Sequence, residues 1–489
     1  MSTLVFGRSG TAPRGGTTHP HPGAVVALVA LVVVLGEAVA DVLPDDPVVW
    51  LLTPLRLVVG IGLVGAATAV RPARWRTPAD PGIALLVVGA TIASAQAGTW
   101  SAWRWLLTYV AVHYLVVAVR RAGALPWRLL SPLALLAVVA PTVVALSQRA
   151  NDVPTGFCRD DLGAGSFDCA DPGTLVRVVG TLPNPNLLAA LLVVLLPLAL
   201  CAAARPPGAG PVSRETVRAA GRIVPDRGWA TLVVAVVAGG YLAVWQTMSR
   251  GGLAAAAASL LVLALLGWRP TRRPRALLVV AAAGAAAAGA LAVAGLGLGV
   301  RADVWRAAAS LAAGDPMGVG LGRGGALVTA EVATGEQLAH AHSTALHWLL
   351  EGGVLALLGL LALCAAVILV LVRADRRGSL SAAPLGAAVA ALAIVSSVDH
   401  PTASARVALA AAALLACALT ADVDTELDAA APPAHVARGQ ASRGAYRPRR
   451  LRRPGASATG GSGTGGPGTG GPGTGGQPAT SPRARAISR

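Results

Sequence analysis

Lysine is absent from this chain of 489 residues, and phenylalanine and tyrosine are scarce, at three and four copies. The formal charge of +17 therefore comes from arginine alone, a compositional bias with no mechanism attached. Charged residues amount to 13%, against about a quarter in soluble domains, which excludes an ordinary water-soluble globule. The five cysteines make no metal cluster. Cys201, Cys364 and Cys417 fall in apolar stretches, where a thiol packs as a small hydrophobe. Cys158 and Cys169 share one polar loop and are the one pair placed for a disulfide.

Alanine, valine, leucine and glycine fill the chain, giving 54% hydrophobic content and a mean hydropathy of +0.64. A bilayer crossing needs about 20 apolar residues, and there is room for about twelve. The expected fold is all-α, a polytopic integral membrane protein whose small residues let helices pack closely in lipid. Residues 1–23 are polar, with Arg8 and Arg14 and no cleavage pattern, so they read as a cytoplasmic N-terminal segment rather than a signal peptide. The membrane domain spans 24–421, with crossings expected near 24–40, 48–70, 82–98, 105–119, 129–147 and 187–204, then 229–247, 251–268, 276–300, 345–372, 380–398 and 402–421.

Arginine clusters recur in alternate loops: Arg71, Arg74 and Arg76; Arg120, Arg121 and Arg128; Arg205 to Arg227; Arg269 to Arg275; and Arg373, Arg376 and Arg377. The intervening loops are short, acidic or mixed, such as Asp41–Pro47 and Asp399-His400-Pro401. Positive loops stay in the cytoplasm, so both termini are predicted inside and the loops 148–186 and 301–344 outside, in a plasma-membrane protein. The segment 422–489 is rich in Arg, Gly and Pro and cannot bury enough apolar area to fold. It reads as a cationic tail attracted to anionic membrane lipids, which accounts for the charge without nucleic acid as a partner.

Polar residues that a membrane bundle does not require are grouped on the predicted outer side. Arg250, in Ser249-Arg250-Gly251-Gly252, is either a snorkelling side chain or an anion clamp, since guanidinium grips phosphate oxygens bidentately. Arg301, one helical turn before Trp305, offers the same choice, with Arg306 and Arg323 as weaker candidates in the same loop. Asn184 and Asn186, in Gly-Thr-Leu-Pro-Asn-Pro-Asn at 180–186, are ordinary helix-start residues or cavity-facing ones. His340 and His342 precede an amphipathic stretch, Ser343–Leu350, that ends at Glu351. An imidazole there is either a cap or a general base able to work near neutral pH.

His342, His347 and Glu351 follow helical spacing, but no third His or Cys completes a usual zinc set, so no metal or other cofactor is expected. The glycine-rich 318–325 follows no strand and lies outside, where a nucleotide loop has no context. Glu37 and Arg56 lie inside early spans, where ionisable groups face the bundle interior.

Taken in order over roughly 180–375, these motifs, with Asp315-Pro316-Met317-Gly318-Val319-Gly320 between them, resemble the O-antigen ligase family, which includes Wzy-type polysaccharide polymerases. The resemblance implies a glycosyltransferase of GT-C-like architecture that acts without metal. It would move a glycan from a polyprenyl-diphosphate carrier to a glycan, lipid or protein hydroxyl outside the membrane, inverting the anomeric centre. His342 would be the catalytic residue. Arg250 and Arg301 would hold the diphosphate, and Asn184, Asn186, His340 and Glu351 would line the substrate site. The family usually has His-Asn where this chain has His342-Ser343; Ser343 is then expected to cap the helix. Two other readings compete: a polyprenyl-phosphate-sugar transferase using Asp41, Asp45 and Asp46, and a polysaccharide exporter.

Overall fold

The computed structural model describes residues 21–40, 42–44, 52–159, 165–166, 174–204, 227–267, 300–332, 338 and 340–423. Apart from three two-residue strands, its regular elements are helices. They are α1 (Pro22–Ala40), α2 (Pro54–Ala69), α3 (Asp80–Ala97), α4 (Trp100–Arg121), α5 (Trp127–Ala150), α6 (Pro185–Leu200), α7 (Arg227–Gln246), α8 (Arg250–Gly267), α9 (Val300–Gly314), α10 (Gly324–Glu331), α11 (Thr344–Arg376), α12 (Ala382–Val398) and α13 (Ala405–Leu419). Short 3-10 turns fall at Pro72–Arg74, Cys201–Ala204 and Pro401–Ala403.

Seven of these helices are long and apolar enough to cross a membrane: α1, α3, α4, α5, α6, α7 and α11. Four more, α2, α8, α12 and α13, are apolar but shorter than these seven or equal to the shortest of them. Large apolar side chains point outward on many of them, among them Leu136 and Val64 at 69% exposure. Surface of that kind is costly in water and natural in lipid, so the chain is membrane-embedded. The predicted crossing at 276–300, all but its last residue, lies outside the described residues, as do Asp41, Asp45, Asp46 and the tail beyond 423.

Helix ends alternate in position. Thr181 Oγ1 donates to Val39 O (2.8 Å), Val178 N to Gln246 O (3.3 Å), and Gln148 binds Val179 and Gly180, so the ends of α1, α5 and α7 meet the start of α6. At the opposite end Arg120 reaches Thr420 and Leu125 O, Ser379 donates to Ala421 O, and Arg121 bonds Arg74 O. Arg71, Arg74, Arg121, Arg376 and Arg377 share that second end with the helix termini beside them. The first end is not free of arginine, since it also holds Arg104, Arg149, Arg177 and Arg406.

Small residues set the closest approaches. On α3 and α11, a methyl group added at Gly89 would fall 2.6 Å from Ala356 N, and one at Gly359 only 2.4 Å from Leu86 N. Backbones that close need glycine, as expected where dispersion, not hydrophobicity, joins helices. Gly251 at the start of α8 lies against Val398 at the end of α12, where an added methyl would come within 2.8 Å of Cγ2.

Helix α11 is broken, a feature the sequence reading did not anticipate. Gly353 has φ 74° and ψ −174°, a conformation open essentially to glycine alone. The break leaves backbone groups of Leu350, Glu351 and Val354 without helical partners, and the turn after α9 supplies them. Val319 N and Gly320 N donate to Leu350 O and Glu351 O (2.9 and 3.1 Å), and Val354 N donates to Pro316 O (2.9 Å). The Asp-Pro-Met-Gly-Val-Gly motif is thus a plug for the broken helix, which fixes the short helical arm 344–352 that follows the histidines.

Candidate functional site

The site gathers around Asp399, in the tight loop between α12 and α13. His342 Nδ1 lies 3.2 Å from Asp399 Oδ1, and His340 Nε2 lies 3.7 Å from the same oxygen. The Asn186 side-chain amide donates to Oδ2 (3.3 Å), the His400 backbone N–H to Oδ1 (2.8 Å), and an Arg301 guanidinium nitrogen sits 3.9 Å from Oδ2. Three segments far apart in sequence therefore converge on one carboxylate.

Each partner is held in turn. His342 has φ 49°, in the left-handed region that non-glycine residues avoid, and its carbonyl accepts the Trp305 indole N–H (3.0 Å). Trp305 thus ties α9, and Arg301 one turn before it, to the histidine. Asn186 Oδ1 accepts from Arg177 (3.1 Å), whose Nε also donates to Thr247 O (2.8 Å). The rings of His340 and His342 meet edge to face at 4.6 Å, and those of His347 and His400 lie 3.8 Å apart, tilted by 31°. His400 is buried and its Nδ1 meets the Thr344 hydroxyl (3.1 Å).

The electrostatics follow from this packing. Burial alone would raise the Asp399 carboxyl, but the His342 hydrogen bond and the charges of His342, His340 and Arg301 outweigh it and hold it down at about 2. Burial lowers His340 to about 4, against the pull of Asp399, and lowers His400 well below its ordinary value. At neutral pH the loop thus presents an anionic Asp399 beside a neutral His340 and a neutral His400. An anionic carboxylate can only accept, so His342 Nδ1 carries the proton of that hydrogen bond, and Nε2 is the ring nitrogen left for other chemistry.

The other expected site residues divide. Asn184 caps α6, its side chain accepting the Asn186 N–H (2.8 Å), so it shapes the turn rather than meeting Asp399. Glu351 is buried with both oxygens engaged: Gly322 N–H and Gly324 N–H at 2.6 and 2.8 Å, and His347 Nε2 at 3.3 Å. It pins the glycine-rich turn. Ser343 is the N-cap residue of α11, yet its side chain makes no capping bond, contrary to expectation; His342 before it is left-handed and the Thr344 hydroxyl after it donates to Asp399 O (3.4 Å). Arg250 opens α8 with an exposed side chain, at the end where Gly251 touches Val398, beside Asp399. Arg323 is exposed, and Arg306 pairs with Asp303 on the surface (2.8 Å). Cys158 is disulfide-bonded; Cys169, its expected partner, lies outside the described residues. Cys201, Cys364 and Cys417 carry thiols outside any disulfide.

Asp399, His400 and Arg177 were missed as site residues by the sequence reading. The signal available was an acid and a histidine crowded into a three-residue loop on the predicted outer side. A metal set also differs from the one weighed in the sequence: His340, His342 and Asp399, not His342, His347 and Glu351, bring donor atoms within 4.8 Å of one another. Separations of 3.2 and 3.7 Å suit the edges of a tetrahedral zinc shell. Against this, the Arg301 cation already shares the carboxylate and would repel a divalent ion. Comparison of the sequence with protein-family models gives no match, and comparison with curated proteins gives no significant match.

Proposed function

We propose that the protein is a membrane glycosyltransferase of the O-antigen ligase and polymerase type, with about twelve crossings in a GT-C-like arrangement and both termini in the cytoplasm. The observation that carries the reading is the His342–Asp399 pair with Arg301 on the same carboxylate and Arg250 at the same helix end. The ordered motifs over 180–375 support it independently.

In this mechanism the acceptor hydroxyl gives its proton to His342 Nε2 as its oxygen attacks the anomeric carbon. The bond from that carbon to the diphosphate oxygen breaks, and the electron pair leaves with the polyprenyl diphosphate. Asp399 holds the imidazole in the useful tautomer and stabilises the imidazolium that forms. Arg250 and Arg301 neutralise the departing diphosphate, a task that metals perform in other transferases. A single displacement inverts the anomeric centre. His340 and His400, neutral at the floor of the site, keep it from accumulating positive charge near the base.

A metal-assisted reading is favoured by one observation, the three donors within 4.8 Å. Incubating purified protein with a polyprenyl-diphosphate oligosaccharide and an acceptor separates the two. The proposed mechanism releases free polyprenyl diphosphate at a rate unaffected by chelator. Loss of release on chelation, restored by zinc, would favour the metal; substrate movement without release would mark an exporter.

A further inference from the structure

A second polar cavity of about 610 Å³ opens at the same helix end as the histidines, bounded by α1, α2, α4, the start of α13 and the turn at 180–183. The argument turns on Glu37, Arg56, Trp105, Thr181 and Arg406, all of which line it. Its volume lies within the range of small-molecule sites, roughly 300–1,000 Å³. Two chain segments form its wall and also reach Asp399. Thr181 and Pro183 line the cavity, while Asn186, three residues further and so within about 11 Å along the chain, donates to Asp399. Arg406 lines the cavity seven residues after Asp399 and donates to Thr181 O (2.6 Å), locking the two segments together.

The chemistry of this wall is mixed in a particular way. The Arg56 guanidinium lies 5.3 Å over the Trp105 ring, and Tyr109 stacks on the same indole at 6.0 Å, so aromatic packing holds the cation at the wall. Arg406 adds a second guanidinium to the lining. Glu37 is buried; Oε2 takes the Leu43 N–H (2.8 Å), while Oε1 takes no hydrogen bond among the described residues. A carboxylate oxygen suits the hydroxyls of a sugar, and the guanidiniums of Arg56 and Arg406 suit a carboxylate or phosphate carried on it. A lipid tail has no use for such a lining.

We propose that this cavity binds a saccharide carrying an acidic group, next to the histidine site. That its occupant is the acceptor rests on the transfer reaction proposed above; the binding itself does not. The test is calorimetric titration of the full-length protein in zwitterionic nanodiscs. The probes are a disaccharide of glucuronic acid and N-acetylglucosamine, and its neutral counterpart with glucose in place of the uronic acid. The acidic disaccharide is expected to bind at least about tenfold tighter than the neutral one, since charge-assisted contacts are roughly twice as strong as neutral ones. Arg56→Gln should erase that preference, and Glu37→Gln should weaken both sugars. Equal affinity for the two, or no saturable binding by wild-type protein, would overturn the proposal whatever the variants do. So would displacement of the acidic disaccharide by nanodiscs of anionic phosphatidylglycerol, which would mark a headgroup site. Binding as expected with no diphosphate release by the wild type would sink the transfer reaction and leave the site standing.

Discussion

Replacing Asp399 by Asn is the sharpest structural perturbation of the site, because it keeps the shape and removes the charge. In the wild type, Oδ1 receives His342 Nδ1 and the His400 N–H, and Oδ2 receives the Asn186 amide beside Arg301. An Asn side chain has one acceptor for these donors, and its own amide must face either His342 or the Asn186–Arg301 pair. Facing His342, it donates to Nδ1 and moves the ring proton to Nε2, which then cannot act as base. Facing the other way, it sets donor against donor. General base catalysis contributes about 10²–10⁴-fold, so kcat should fall by that factor, equivalent to about 3–5 kcal/mol. Donor affinity should persist or rise, because Arg301 loses its competing carboxylate. Single-turnover release of polyprenyl diphosphate gives the rate, and a thermal melt shows whether the variant is folded. A folded Asp399→Asn protein with a rate within about threefold of wild type, under 1 kcal/mol, would refute the role given to the dyad.

Arg301→Ala should weaken donor binding, and Arg301→Lys should restore it only in part, since an ammonium lacks the planar fork; full rescue by Lys in a donor-binding assay would count against a bidentate phosphate contact. Stability should depend on pH in two windows. His340 is lowered from 6.5 to about 4, so the unfolded chain binds its proton first; stability is full above 6.5 and falls by about 3 kcal/mol as pH drops to 4. Asp399, held at about 2, contributes stability above its ordinary 3.8 that is lost only as pH falls through 2. Melting points from pH 8 to 4 should drop less steeply in His340→Asn than in wild type, and identical slopes would contradict the burial argument.

The helical, membrane-embedded character of the chain was legible because it depends on local hydropathy. The arginine alternation was legible in part: the clusters at 71–76, 120–121 and 373–377 share one end, but Arg104, Arg149, Arg177 and Arg406 gather at the other and are visible only after folding. His342, Arg301 and Asn186 were legible as unusual polar residues, and the structure brings them together. What joins them was not. Asp399 is 57 residues from His342, and no spacing rule reaches that far. What Glu351 and Asn184 hold was not legible for a related reason: their polar atoms serve backbone N–H groups, and sequence does not show which orphaned groups a broken helix or a turn will need filled. Gly353 looked like one glycine in an apolar run; only the plug from Pro316 and Val319 explains why the helix breaks there.

The most direct measurement is transfer by correctly inserted, full-length His342→Ala protein, with a lipid-labelled polyprenyl-diphosphate oligosaccharide as donor. Release of labelled polyprenyl diphosphate and donor retention are followed together. The account predicts that wild type releases the lipid diphosphate with or without chelator, whereas His342→Ala binds donor normally and releases none. Full release by the His342→Ala protein would contradict it outright.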